Sequence, residues 1–218
     1  MTTTDPGHVV PDGPWLDRSD GPVRIRKLSV SEMDNNVYVV SCVTTARSLL
    51  IDVADRAPRL LEALEDTDPL AAVQTHGHWD HVRAWEGIAA AGIAIWGHAD
   101  DVPLFPRAPD RTLSDGDVLT VGELAIEVLH VPGHTPGSLL YLVQGAARPH
   151  LFSGDTLFPG GPGNTFGSAE AHRQIMDGLE ERVFARLPDS THVYPGHGDE
   201  TTLGTERPHL AEWRQRGW

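Results

Sequence analysis

The sequence of 218 residues predicts an α+β fold in which two sheets stack face to face and helices cover the outer surfaces. Three observations carry that reading. Strand-like segments fall into two groups, one early in the chain and one in the middle; each group is followed by helical periodicity; and Gly or Pro turns separate the segments. The 39% hydrophobic content is ordinary for a globular protein and supports a packed core.

Residues 1–22 are rich in Pro and Gly and read as a flexible arm, leaving 23–218 as a single domain. VRIRKLSV (23–30) then alternates, NVYVVSCV (36–43) is β-branched and apolar, and SLLIDV (48–53) closes on an aspartate, so three strands are expected. Asp55 is a candidate N-cap with Pro58 in the first turn, and Leu60, Leu61 and Leu64 share one helical face. LAAVQT (70–75) is a buried strand running into THGHWDH, after which Val82, Trp85, Ile88 and Ala89 keep helical spacing up to Gly92. IAIW (93–96), DVLTV (117–121), LAIEVLHV (124–131), SLLYLV (138–143) and HLFSGD (150–155) are further strands. Ser168 caps a helix whose stripe runs from Ile175 to Leu187 and stops at Pro188. THVY (191–194) and a last helical piece through Leu210 and Trp213 complete the pattern.

Lys and Arg number 17 against 31 Asp and Glu, a formal charge of -14, which leaves no basic surface for nucleic-acid phosphates and disfavours anionic membranes. The chain starts without a charged and then apolar leader and contains no apolar run long enough to span a bilayer. Cys42 is the single cysteine, inside an apolar strand, so an internal disulfide is impossible and a thiolate ligand is not expected. A cytoplasmic protein acting on a small molecule is the resulting expectation, with its oligomeric state open.

The chemistry lies in the histidines at strand ends. His76, His78 and His81, with Asp80, follow LAAVQT; His134 follows IEVLHV within PGHTPGS; Asp155 ends HLFSGD; His197 follows THVY within PGHG. Glycine-containing loops at strand ends let a rigid sheet present side chains convergently. Five imidazoles and two carboxylates brought together without a cation would leave buried charge unsatisfied, and a divalent metal resolves this. Three protein ligands and an open position per catalytic metal make seven donors enough for two sites if one carboxylate bridges them. Oxygen and imidazole donors suit zinc first, with iron or manganese open. A water between two such metals is acidified enough to attack a carbonyl, which points to a hydrolase.

These motifs, THGHWDH, PGHTPGS, FSGDTLF and YPGHG in that order, resemble the metallo-β-lactamase superfamily and, within it, the glyoxalase II-like (hydroxyacylglutathione hydrolase-like) branch. The resemblance implies a four-layer αβ/βα sandwich with a dinuclear site at one edge. It implies that His76, His78 and His134 hold one divalent ion, that Asp80, His81 and His197 hold the other, and that Asp155 bridges them. Asp52 matches the acidic residue kept near the site, as a partner orienting a ligand histidine, and Asp80 is the expected proton acceptor or donor for the bridging hydroxide.

Departures from the branch bear on the substrate. Where relatives carry a GGxGRTD-type loop, this chain reads PGGPGNTFGS, with Asn164 and Phe166 at the Arg and Asp positions. About twenty residues follow His197, too few for the helical domain that binds glutathione in long glyoxalase II enzymes. Hydrolysis of a small thioester, lactone or carboxylic ester is therefore expected, without glutathione specificity. The alternative is a mononuclear iron persulfide dioxygenase, against which Gly196 in YPGHG counts. Trp79 and Tyr194 are expected to pack, while Phe158 and Phe166 are candidates for the pocket wall.

Overall fold

A computed structural model describes residues 7–217. Strands β1 (Leu16–Asp20), β2 (Val23–Ser29), β3 (Asn36–Cys42), β4 (Arg47–Ile51), β5 (Asp68–Val73), β6 (Ile95–His98) and β7 (Arg111–Leu113) lie side by side in that order. The first four are antiparallel and the last four run parallel, because helical crossovers connect β4 to β5 and β5 to β6. The second sheet contains β8 (Val118–Val121), β9 (Leu124–His130), β10 (Leu139–Gln144), β11 (Pro149–Gly154), β14 (His192–Pro195) and β15 (Thr201–Thr202), in the order β15-β14-β11-β10-β9-β8. A small hairpin of β12 (Leu157–Phe158) and β13 (Gly161–Pro162) stands apart.

Period-two alternation sorts the apolar residues into layers. Tyr38, Val40, Leu49 and Ile51 of the first sheet meet Ile126, Val128, Tyr141, Val143 and Phe152 of the second in the central core. The intervening residues face outward: Val37, Val39 and Leu50 pack under α1 (Ala57–Leu64) and α2 (Trp85–Ala90). On the other side Leu129, Leu140, Leu142, Leu151 and Val193 pack under α3 (Ala169–Gly178), joined by Trp213 of the C-terminal helix. The predicted α+β sandwich, helix on sheet on sheet on helix, is the observed one. Strands covered on both faces explain why they read as nearly continuous apolar runs. After α3 come α4 (Leu203–Glu206) and α5 (Leu210–Arg216).

Two sequence readings need correction. The arm expected over residues 1–22 is ordered where the structure describes it: β1 pairs with β2, Leu16 opposite Lys27 and Asp20 opposite Val23, and Arg18 Nη1 donates to Glu200 Oε2 at 2.6 Å. The edge strand LDRSD has one apolar residue and half-buried alternate positions, so it carries no hydrophobic signal. The remainder of the expected arm, residues 1–6, lies outside the described residues. The N-cap of α1 is Arg56, at φ 56°, in place of Asp55, whose Oδ1 accepts from Arg56 N at 2.7 Å. Ser168 does cap α3, accepting from Ala171 N at 3.2 Å. No helix of the described residues is long and apolar enough to cross a membrane.

Candidate metal centre

All seven expected donors and Asp52 gather at one edge of the sandwich, and strand direction explains why. β4 and β5 are parallel, so Asp52 and the loop holding His76 to His81 leave the first sheet at the same edge. β9 and β11 are each antiparallel to β10 and therefore run the same way, and β14 is parallel to β11. His134, Asp155 and His197 follow the ends of β9, β11 and β14 and so leave the second sheet together. Three overlapping trios result: His76, His78 and His134; His76, His81 and Asp155; Asp80, His81 and His197, the donor atoms of each lying within 4.8 Å of one another.

Within the cluster His78 Nδ1 is 2.8 Å from His134 Nε2, and His81 Nε2 is 3.1 Å from His197 Nε2. Asp155 stands between the pairs, Oδ1 at 3.5 Å from His81 Nε2 and Oδ2 at 3.5 Å from His134 Nε2 and 3.4 Å from His197 Nε2. Asp80 Oδ2 is 3.4 Å from His197 Nε2.

Acceptors behind the rings fix the tautomers. His134 Nδ1 donates to Asn164 O at 2.9 Å, His197 Nδ1 to Met33 O at 2.8 Å, and His81 Nδ1 to Asp52 Oδ2 at 3.0 Å. Thr75 gives its hydroxyl proton to Asp52 Oδ2 at 2.8 Å and so accepts from His76 Nδ1 at 3.0 Å. In the neutral rings each Nδ1 holds the proton, and the Nε2 lone pairs of His76, His81, His134 and His197 all point inward. Lone pairs 3.1 Å apart, as between His81 and His197, repel unless a cation or a proton lies between them. His76 Nε2 and Asp155 Oδ1 are buried and have no hydrogen-bond partner among the described residues. An unpartnered buried donor set of this type fits a divalent metal, and its imidazole and carboxylate chemistry suits zinc, iron or manganese.

The electrostatics agree. Burial lowers His76 well below the usual imidazole range, and the neighbouring His81, His134 and His78 lower it further. Burial would also lower His197, but Asp155 and Asp80 outweigh it and hold the ring up at about 10. Burial alone would raise Asp80, yet His197, His81 and the amide of Asn35 hold its carboxyl well below the ordinary range. His197 Nε2 faces Asp80 Oδ2 and Asp155 Oδ2 at 3.4 Å each, so cationic charge is favoured at that point of the cluster.

Several supporting residues escaped the sequence reading. Asn35 Nδ2 donates to Asp80 Oδ2 at 2.9 Å. Asp101, fully buried, accepts from Gly77 N at 2.8 Å, from Thr135 Oγ1 at 2.7 Å and from Gly137 N at 2.7 Å, which ties the loop of His76 and His78 to the loop of His134. Asp52 adds Thr75 N at 2.7 Å, and its φ of 63° turns its carboxylate inward behind His81. A Cβ on Gly196 would come within 2.1 Å of Asp155 Oδ1 and one on Gly163 within 1.7 Å of the Asp155 main-chain O, so these two glycines are where backbone must approach Asp155, one at its carboxylate and one at its carbonyl.

The remaining expectations sort cleanly. Tyr194 is core, 3% exposed, its hydroxyl 3.0 Å from His150 Nδ1. Trp79, expected to pack, is 61% exposed, with the Arg83 guanidinium over its ring. Phe166 lies 5.7 Å from the His78 ring and Phe158 6.4 Å from the His197 ring, centroid to centroid. His98, Asp100 and His130 form another group, but the two rings stack at 4.1 Å with planes 16° apart. Lone pairs in parallel planes cannot meet on one ion, so this arrangement does not chelate.

Comparison with known proteins gives consistent matches. A family model described as "Metallo-beta-lactamase superfamily" matches residues 31–197. A hydroxyacylglutathione hydrolase of Rhodospirillum rubrum is 38% identical over 167 residues, 75% of this chain and 62% of that protein, so this chain spans less than two thirds of that relative's length. The crystal structure of BLEG-1 B3 metallo-beta-lactamase superposes with a TM-score of 0.77 at 27% identity, covering 87% of this chain and 99% of that one. TTHA1623, crystallised in a di-iron-bound form, superposes with a TM-score of 0.70 at 32% identity, covering 83% and 96% respectively.

Proposed function

Because this chain belongs to the metallo-β-lactamase superfamily, we propose that its clustered histidines and aspartates form a two-metal hydrolase centre acting on a small thioester, lactone or carboxylic ester. His76, His78 and His134 would hold one ion and Asp80, His81 and His197 the other, with Asp155 available to both; Asp52 would position His81. The observation that carries the reading is the set of inward Nε2 lone pairs, each with its Nδ1 proton already committed behind the ring. Hydroxyacylglutathione hydrolase relatives support the thioester class, and the di-iron form of TTHA1623 supports two metals.

When bound, the metal pair supplies Lewis acidity toward the substrate carbonyl and lowers the pKa of a coordinated water. The chain's own residues do the rest. Asp52, Met33 O, Asn164 O and Thr75 hold four imidazoles in the ligating tautomer, which removes reorganisation from the reaction. Asp80, kept ionised and fixed by Asn35, accepts a hydrogen bond from the attacking water and orients it. In the overall reaction the water oxygen bonds to the acyl carbon, the C–S or C–O bond breaks, and the water's proton leaves with the thiol or alcohol.

The test is metal content and turnover together. Purified protein should hold two equivalents of divalent metal and hydrolyse a member of a thioester and lactone panel, and His134→Ala should lose both properties. Full metal and an unchanged rate in that variant would overturn the assignment. A mononuclear iron persulfide dioxygenase would instead hold one equivalent of iron and consume oxygen with a persulfide.

A further inference from the structure

Seven large hydrophobic side chains are exposed among the described residues, and four of them rim the metal-centre loops. Met33, 43% exposed, offers the carbonyl that holds His197. Trp79, 61% exposed, lies between His78 and Asp80 in the chain. Leu104, 43% exposed, lies against Gly77, where an added Cβ would come within 2.6 Å of its own Cβ. Phe166, 69% exposed, lies 5.7 Å from the His78 ring and 5.8 Å from that of His134. Exposed apolar side chains gathered around one cluster of polar donors are the signature of a binding surface.

Phe166 is also held in place at a conformational cost. Its φ of 53° lies in the left-handed region, which bulky residues avoid, and its N–H donates to Asn164 Oδ1 at 2.7 Å. Asn164 supplies the carbonyl that orients His134, so one short loop fixes both a ligand histidine and the phenyl ring beside it. Acidic side chains accompany these four: Glu32 and Asp34 flank Met33 in the chain, and Asp100 shares the Ala99–Leu104 turn with Leu104. The ion pairs of Asp52, Asp80 and Asp155 are all with histidines, and Arg83, stacked over Trp79, is paired with Asp55 at 3.2 Å. Lys27, the single lysine, is buried. With a net charge of -14, the protein offers an anionic leaving group little attraction.

Building on the hydrolase reading, we infer that the substrate is an uncharged ester, lactone or thioester with an apolar chain of several carbons, and that Phe166 is the residue that selects it. The chain lies on the Phe166 ring while the carbonyl reaches the histidine cluster. Burying each added methylene against the rim should raise kcat/KM until the rim is covered.

The experiment uses the metal-loaded protein with N-acetylcysteamine thioesters, which are neutral, and glutathione thioesters, which are anionic, each with acetyl, butyryl, hexanoyl and octanoyl groups. For the neutral series kcat/KM should rise by about ten-fold or more from acetyl to hexanoyl, and the glutathione esters should be no better at equal chain length. Phe166→Ala should flatten that rise and Phe166→Leu should restore most of it, with metal content unchanged in both. Separately from turnover, octanamide should shift the Trp79 indole NMR signal and acetamide should not, with octanamide bound about ten-fold more weakly by Phe166→Ala. A flat chain-length profile, a preference for the glutathione esters, or no octanamide shift would overturn the inference. Octanamide binding without hydrolysis of any ester would leave apolar recognition standing and remove the hydrolase reading alone.

Discussion

His81 Nδ1 lies 3.0 Å from Asp52 Oδ2, and both groups are almost wholly buried. The contact sets the tautomer of His81 and leaves Nε2 as its only inward-facing lone pair. Asp52→Asn, which tolerates the left-handed backbone, should keep the fold and weaken metal binding by about 10- to 100-fold. Competition with a chromophoric chelator measures this; unaltered affinity would show that His81 needs no such partner.

Asp101 is expected to matter as much to the other histidines. Its removal leaves Gly77 N and Gly137 N without their acceptor and Thr135 Oγ1 with Ser138 Oγ, 2.8 Å away, in place of the carboxylate. Asp101→Ala should destabilise the protein by about 3 kcal/mol and loosen the His76, His78 and His134 trio first. Thermal denaturation and metal titration read the two effects separately.

Gly196→Ala places a methyl group where Asp155 Oδ1 now sits, 2.1 Å away, and close to His81 Cε1 at 2.9 Å. Asp155 must move, so metal bound per chain should fall below two, with at least about a hundred-fold loss of turnover. Native mass spectrometry counts the metal. Two tightly held ions in this variant would show that the backbone can yield.

The metal-free protein should have a stability optimum bounded on both sides. His197, raised to about 10, contributes stability that is fully present below its unfolded value and lost as pH rises through about 10. His76, His78 and His134 are lowered, so protonation of the unfolded chain erodes stability as pH falls below the usual imidazole range. Metal binding near neutral pH should release protons, that of His197 foremost, because, against the effect of burial, the carboxylates around His197 and His81 hold both rings above the usual imidazole range. An indicator dye in weak buffer measures the release, and metal uptake without it would contradict the shift.

The clustering of the histidines and the layers could be read from the sequence because both rest on local patterns: apolar alternation for the strands, and glycine beside histidine at their ends. What stayed hidden depends on contacts distant in sequence. Asp101 stands in ADDVPL beside another aspartate, with nothing local to mark it. Asn35 and the Met33 carbonyl belong to an ordinary turn whose importance comes from facing Asp80 and His197, 45 and 164 residues away. Strand β1 pairs through backbone groups that its polar side chains do not advertise, and the N-cap of α1 and the loop at Phe166 use left-handed residues other than glycine, Arg56 and Phe166.

The convergence of β4, β5, β9, β11 and β14 on one edge has a mechanical side. Residues 52 to 81 belong to one sheet and residues 134 to 197 to the other, so ions shared among them would act as a cross-link between two halves of the chain. Like a disulfide, such a link restricts the unfolded ensemble most when the segments it joins are far apart. Stripping the metal would then leave that edge to apolar packing and to the direct hydrogen bonds that span it, among them His197 Nδ1 to Met33 O and Tyr38 Oη to Pro195 O, with one cross-link fewer between the sheets.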